Sequence, residues 1–212
     1  MATVDKEIIL LKVSGQDKPG VTAGLTAILA NYGATILDIG QADIHDTLSL
    51  GILFEVKAGS GSGSVLKDLL FKGYELGIKV KFIPISISDY EVWVKGQSKQ
   101  RYIINVLGET LTAVQMAAVT KIVSDQKLNI DSIIRLTGRT SVIEEEEYPR
   151  SCVQLSVTGV IKDKTVMTAK FMEISGEFDV DISFQEDNMY RRNRRLVCFD
   201  MDSTLIQTEV ID

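Results

Sequence analysis

Cysteine, histidine and proline are scarce in this chain of 212 residues, which has two cysteines, one histidine and three prolines. Two cysteines and one histidine are too few for a four-ligand structural zinc site or a disulfide framework. A Ser/His/Asp or Cys/His catalytic site would depend on His45 alone. These scarcities exclude the zinc-stabilised and disulfide-rich classes of protein and leave histidine-dependent hydrolysis with a single candidate.

Long apolar runs and an excess of positive charge are also missing. No run of about 18 apolar residues occurs, and the charged N-terminus is not followed by an apolar stretch of signal-peptide length. The formal net charge of −6 argues against general nucleic-acid binding, which needs a basic surface. Because 45% of the residues are apolar and 25% are charged, the chain can form a buried core. We expect a soluble, cytoplasmic protein that binds neither membranes nor nucleic acids.

Two halves of the chain repeat one order of predicted elements. Apolar alternation and turn residues predict β-α-β-β-α-β in each half, the ferredoxin-like split βαβ arrangement. The predicted fold class is therefore α+β, with two tandem modules over residues 5–90 and 99–187 and a basic linker over 188–195. The predicted strands are 7–13, 34–42, 48–57 and 78–85 in the first module and 101–107, 130–136, 151–158 and 180–185 in the second.

The spacing of apolar residues predicts the helices and the faces that they bury. The first module has a helix that begins near Pro19, since proline suits a first helical turn, and another over 65–77. The second module has helices over 111–126 and 165–178. The helix over 65–77 is expected to bury Leu66, Leu69, Leu70 and Tyr74, and the helix over 111–126 to use one face formed by Val114, Ala117, Ala118, Lys121 and Ile122. Sheet edges and one sheet face would remain open, which favours pairing of modules and a homodimer.

The end of the chain departs from the repeat. The apolar run 196–199 is typical of a buried parallel strand, and it leads into Asp200-Met201-Asp202-Ser203-Thr204. A single such strand is not a domain. We therefore expect residues 196–212 to be the start of a truncated α/β Rossmann-like domain and the sequence to be a fragment.

Two carboxylates at the carboxyl end of a strand suit phosphoryl transfer, because open α/β sheets bind ligands at that edge. One aspartate can attack phosphorus to form an aspartyl-phosphate, and the other can act as general acid and base. Mg²⁺ would offset the charge between carboxylate and phosphate. The competing interpretation is a solvated helix-capping turn, which Asp, Ser and Thr also favour.

The segment from Leu196 to Ile206, followed by Glu209, resembles the first motif of phosphoserine phosphatases in the haloacid dehalogenase superfamily. The resemblance implies that Asp200 is the nucleophile and an Mg²⁺ ligand. It implies that Asp202 is the general acid/base, with its backbone carbonyl on the metal. Glu209 would contact the amino-acid end of the substrate, O-phospho-L-serine. The remaining catalytic motifs of that family would lie beyond residue 212, so residues 1–212 alone are expected to be inactive.

The two modules resemble ACT domains, which sense amino acids. The candidate effector loop is Gly15-Gln16-Asp17-Lys18-Pro19-Gly20. Its helix N-terminus would receive a carboxylate and Asp17 an ammonium group, with Asp38 on the next strand as a further candidate. The alternative is a turn that starts a helix and binds nothing. The second module lacks the Pro-Gly pair at this place, which argues against a ligand there.

Two functions from different classes follow. The first is a phosphoserine phosphatase whose ACT region binds L-serine or another amino acid. The second is a stand-alone tandem ACT regulatory protein that binds an amino acid and acts on a partner. A natural gene that continues well beyond residue 212 with further catalytic motifs would exclude the second.

Overall fold

The computed structural model describes residues 6–57, 62–96, 100–139, 141, 143 and 149–191. The chain divides into two compact units between Gln97 and Ser98. Each unit contains one four-stranded antiparallel sheet. The two predicted α+β modules are thereby confirmed, whereas the predicted strand over 196–199 lies outside the described residues.

The first unit has the strand order β2-β3-β1-β4. Its elements are β1 (Lys6–Gln16), α1 (Val21–Asn31), β2 (Thr35–Ile44), β3 (Thr47–Lys57), α2 (Ser62–Leu76), β4 (Lys79–Ile85) and α3 (Ile87–Gly96). Apolar residues alternate along β1, where Ile9, Leu11 and Val13 are buried in the same core cluster as residues of α1 and α2. Leu10 and Lys12 therefore lie on the opposite face of the sheet.

The second unit repeats the topology with the order β6-β7-β5-β8. Its elements are β5 (Arg101–Gly108), α4 (Ala113–Asp125), β6 (Asn129–Arg135), β7 (Ser151–Thr158), α5 (Lys164–Phe178) and β8 (Asp181–Glu186). Ile104, Leu155 and Met167 are fully buried in its core. None of the helices in the described part of either unit is long and apolar enough to span a bilayer.

The buried face of α2 differs from the prediction. Val65 and Leu69 are fully buried, but Leu70 is 56% and Tyr74 is 87% exposed. The reason lies at Gly73, where an added Cβ would collide with the side chain of Val80 on β4. The glycine allows a close approach of helix and sheet on the side of α2 that carries Val65 and Leu69, and Leu70 and Tyr74 face away from the core.

The buried face of α4 also differs from the prediction. Val114 is 61% exposed, and the buried residues are Gln115, Val119, Ile122 and Val123. Gln115 is a polar core residue because its amide is satisfied: Oε1 accepts from the N–H of Thr112 (2.7 Å) and Nε2 donates to the carbonyl of Phe178 (3.1 Å). A prediction from apolar residues alone assigns the wrong buried face to α4, because it does not count a polar residue such as Gln115 as buried.

Helix α3 was not predicted from the apolar pattern. A local hydrogen-bond motif starts it: the N–H of Asp89 donates to Ser86 Oγ (3.0 Å), and that hydroxyl donates to Asp89 Oδ2 (2.6 Å). None of its residues is buried. The Ser-x-x-Asp spacing is the sequence signal for this helix start.

The predicted basic linker begins as part of the second unit. The Arg191 guanidinium donates to Gln154 Oε1 (3.0 Å) and forms an ion pair with Asp187 (3.6 Å). The side chain of Arg191 is 18% exposed, so this first arginine of the basic segment packs against the second unit. Residues 192–195 lie outside the described part of the chain.

Candidate functional site

The loop between β1 and α1 is held in place at both ends. Gly15 sits so close to Ile78, the residue before β4, that a Cβ on Gly15 would lie 3.0 Å from Ile78 Cγ2. Two residues later, the N–H of Asp17 donates to the carbonyl of Asp46 in the β2–β3 hairpin (2.8 Å). Gly15 lies near the end of strand β1, before the loop, and Asp17, Pro19 and Gly20 follow it in the connection to α1. Their role in binding an effector stays a prediction.

Gly20 is the N-cap residue of α1 and has φ 94°, in the region that favours glycine. Pro19 precedes the cap and lies outside the helix, so its predicted place in the first helical turn is wrong. No side chain caps α1. The N–H of Val21 donates to the carbonyl of Lys18 (3.4 Å). Since the first N–H groups of a helix have no partner within it, the N–H groups of Thr22 and Ala23 remain as donors that a carboxylate ligand can occupy.

The equivalent loop of the second module is closed by its own side chains. Thr112 caps α4, with the N–H of Gln115 donating to Thr112 Oγ1 (3.3 Å) and the N–H of Thr112 donating to Gln115 Oε1 (2.7 Å). This reciprocal capping box satisfies two donors of the helix terminus. The two modules therefore share a topology but differ in whether the helix terminus is available to a ligand.

Asp38 lies apart from this loop. In the sheet, Asp38 pairs with Leu53, whereas Gly15 pairs with Leu48. Five residues of extended strand correspond to about 17 Å. The structure thus does not bring Asp38 to the candidate effector loop and places it instead on the sheet face opposite the core, beside α3.

The predicted catalytic residues Asp200, Asp202 and Glu209 lie outside the described residues. Within the described ranges, no group of three or more His, Cys, Asp or Glu side chains is arranged to hold a metal ion. The predicted Mg²⁺ site at Asp200 and Asp202 therefore stays a prediction from the sequence motif.

Comparison with family models decides the identity of the two modules. One ACT-domain family model matches residues 7–83. A second ACT-domain family model matches residues 101–185. The chain contains two ACT domains. Both ACT matches begin in the first strand and end in the last strand of a module.

Curated relatives extend the similarity over nearly the whole ACT-domain chain. A phosphoserine phosphatase of Streptomyces coelicolor is 32% identical over 210 residues, which are 99% of this chain and 47% of that protein. A phosphoserine phosphatase of Mycobacterium tuberculosis is 30% identical over 211 residues, 98% of this chain and 47% of that protein. This ACT-domain chain is homologous to phosphoserine phosphatases and spans about half the length of these two relatives.

Solved structures share the fold. A protein of unknown function from Galdieria sulphuraria superposes with a TM-score of 0.65 at 18% identity, covering 87% of this chain and 100% of that one. A putative glycine cleavage system transcriptional repressor gives a TM-score of 0.57 at 14% identity, covering 85% and 97%. At these identities the likeness concerns the fold alone.

The residues that the sequence analysis missed lie on α3. Asp89, Tyr90 and Trp93 line a cavity with Asp38 on the first unit. The Ser86-x-x-Asp89 spacing could have predicted the helix that carries them.

Proposed function

We propose that this chain is the amino-acid-sensing region, with the entry to the catalytic domain, of a phosphoserine phosphatase that hydrolyses O-phospho-L-serine to L-serine and phosphate. One observation carries the proposal: two phosphoserine phosphatases align with 98–99% of this chain. The Asp200-x-Asp202 motif, which follows an apolar run, supplies the residue types that the reaction needs.

In this proposal Asp200 attacks phosphorus and Asp202 protonates the leaving serine oxygen, then accepts a proton from the hydrolytic water. Glu209 would pair with the ammonium group of phosphoserine. Mg²⁺, bound through Asp200 and the backbone carbonyl of Asp202, would neutralise charge between carboxylate and phosphate. The test is Mg²⁺-dependent phosphate release from O-phospho-L-serine by the protein expressed from its full natural gene, and residues 1–212 alone should release none.

The first module supports binding of an amino-acid effector, for which L-serine is the proposed ligand. The uncapped N-terminus of α1 offers N–H donors to the effector carboxylate. Asp17, in the same loop, offers a carboxylate to the effector ammonium group. The start of α4 differs, because the side chains of Thr112 and Gln115 already accept hydrogen bonds from backbone N–H groups there. Feedback by the product would then act through a shift between subunit arrangements.

Calorimetry with L-serine should detect binding that Gly20→Ala weakens about tenfold, because alanine at φ 94° costs roughly 1–2 kcal/mol and displaces the loop. Gly33→Ala is the matched control. Gly33 also has positive φ (60°) and open space around it, but it lies beyond the other end of α1. Equal weakening by both variants, or no heat at millimolar L-serine, would contradict the effector site.

We also propose that the chain forms a homodimer through sheet edges. On the edge strand β2, Ile36, Ile39 and Ile44 are exposed by 42%, 47% and 75%. An apolar edge with unpaired backbone groups is prone to pair with another chain.

Sedimentation at high protein concentration should therefore give twice the chain mass of 23.4 kDa. Ile39→Lys, which puts a charge on that edge, should shift the protein to monomer. Val160→Lys is the control, because Val160 is also apolar and even more exposed (76%) but lies outside the strands. A wild-type chain that sediments as a monomer at every concentration would refute the dimer.

A further inference from the structure

A cavity of about 390 Å³ lies on the first unit, between the open face of the sheet and α3. Its lining residues come from all four strands of the sheet and from α3, and they combine apolar, aromatic and acidic side chains. They are Leu10, Asp38, Leu53, Ile85, Asp89, Tyr90 and Trp93. The effector loop contributes no residue to it, so this is a separate place on the module.

The floor of the cavity is apolar. Leu10 and Leu53 are cross-strand partners of β1 and β3, and Leu53 is in turn the partner of Asp38 on β2. Since paired residues point to the same side of a sheet, these three share the face opposite the core. Leu10 and Leu53 are half-buried, whereas their strand neighbours Ile9 and Ile52 are buried in the core on the other face. The floor suits the apolar body of a ligand.

The wall is aromatic. Tyr90 and Trp93 are three residues apart on α3, and their ring centroids are 5.9 Å apart with an interplanar angle of 40°. Trp93 remains 42% exposed. Aromatic faces, those of tryptophan above all, attract organic cations that lie within about 6 Å of the ring.

The rim is acidic and carries no compensating cation. Among the described residues, neither Asp38 nor Asp89 takes part in an ion pair, and no lysine or arginine lines the cavity. One oxygen of each carboxylate is engaged: Asp38 Oδ1 accepts from the N–H of Ile39 (2.9 Å) and Asp89 Oδ2 accepts from the hydroxyl of Ser86 (2.6 Å). These bonds orient the two carboxylates and leave their negative charge unpaired.

We propose that this cavity is a binding site for an organic ammonium ion with an apolar body, such as an arylalkylamine. The ammonium group would lie between Asp38 and Asp89, near the face of Trp93, and the apolar body would cover Leu10 and Leu53. A small hydrated metal ion would gain nothing from the apolar floor. A zwitterionic amino acid would bring its own carboxylate towards two aspartates, which separates this site from the effector loop.

Fluorescence of Trp93 provides a direct readout, because it is the only tryptophan of the chain. Titration with 2-phenylethylamine at pH 7 should give a saturable change in Trp93 emission. 3-Phenylpropanoate has a similar ring and chain with the opposite charge and should give none. L-Phenylalanine differs from 2-phenylethylamine by an added carboxylate and should bind at least about tenfold more weakly.

Asp38→Asn and Asp89→Asn should each weaken binding of the amine by about two- to fivefold, the range for exposed charge pairs. Asp43→Asn is the matched control on β2, since Asp43 does not line the cavity, and Gly20→Ala in the effector loop should also leave amine binding unchanged. Equilibrium dialysis repeats the measurement without the optical signal. The site is overturned if the emission change does not saturate, if the propanoate binds as well as the amine, or if Asp43→Asn weakens binding as much as the cavity variants.

Discussion

Asp200→Asn should lower phosphoserine hydrolysis by about 10⁴-fold or more in the protein expressed from its full natural gene. An amide nitrogen or oxygen in place of the carboxylate cannot form the aspartyl-phosphate, and the proposed Mg²⁺ site loses a charged ligand at the same time. The measurement is phosphate release under saturating phosphoserine, combined with acid-quench trapping of the phosphorylated enzyme. With phosphoserine labelled in its phosphate group, the wild-type protein should accumulate labelled phosphate on Asp200, and the variant should accumulate none.

Asp43→Asn serves as the control for this experiment, because Asp43 lies on the exposed strand β2 of the first module. A variant at Asp200 that keeps the wild-type rate would rule out the aspartyl-phosphate mechanism. A full gene product that binds L-serine but releases no phosphate would instead favour the stand-alone regulatory protein. The loss of catalysis and the loss of effector binding are therefore separable outcomes.

Leu69→Ala should reduce the free energy of unfolding of the first module by about 2–5 kcal/mol. Leu69 is fully buried on α2 within the core cluster that also holds Phe54 and Leu11. Truncation removes apolar contacts and leaves a cavity that the close-packed surroundings fill only in part. Denaturant unfolding of the chain, followed by circular dichroism at low protein concentration, measures the change.

Leu70→Ala is the matched control on the same helix. The side chain of Leu70 is 56% exposed, so its truncation should change the free energy of unfolding by no more than about 0.5 kcal/mol. Equal losses for the two variants would mean that α2 presents the face predicted from its apolar spacing and that the orientation described for this helix is wrong.

The candidate effector loop was predictable because its signal is local. Gly15, Asp17, Pro19 and Gly20 are nearly contiguous, and a turn before a helix keeps such residues together whatever the rest of the fold does. The prediction that Asp38 joins this loop was wrong, because the distance of Asp38 from the loop depends on the pairing of β2 with β3. The same pairing brings Asp38 to α3, a helix whose start is encoded only by the Ser86-x-x-Asp89 motif. The cavity between them is a product of tertiary structure.

The amino-acid sequence by itself determined the two βαββαβ repeats, since alternation and helical spacing follow from which side chains must leave water. The catalytic proposal for Asp200 and Asp202 also comes from the sequence, because it rests on their motif. Tertiary structure decided which faces of α2 and α4 are buried. Gly73 lets α2 pack closely against Val80, and Gln115 can be buried because its amide donates to the carbonyl of Phe178. Neither contact can be predicted from hydrophobicity alone. The capped start of α4, by contrast, follows from the local Thr112-x-x-Gln115 pattern, which the sequence by itself contains.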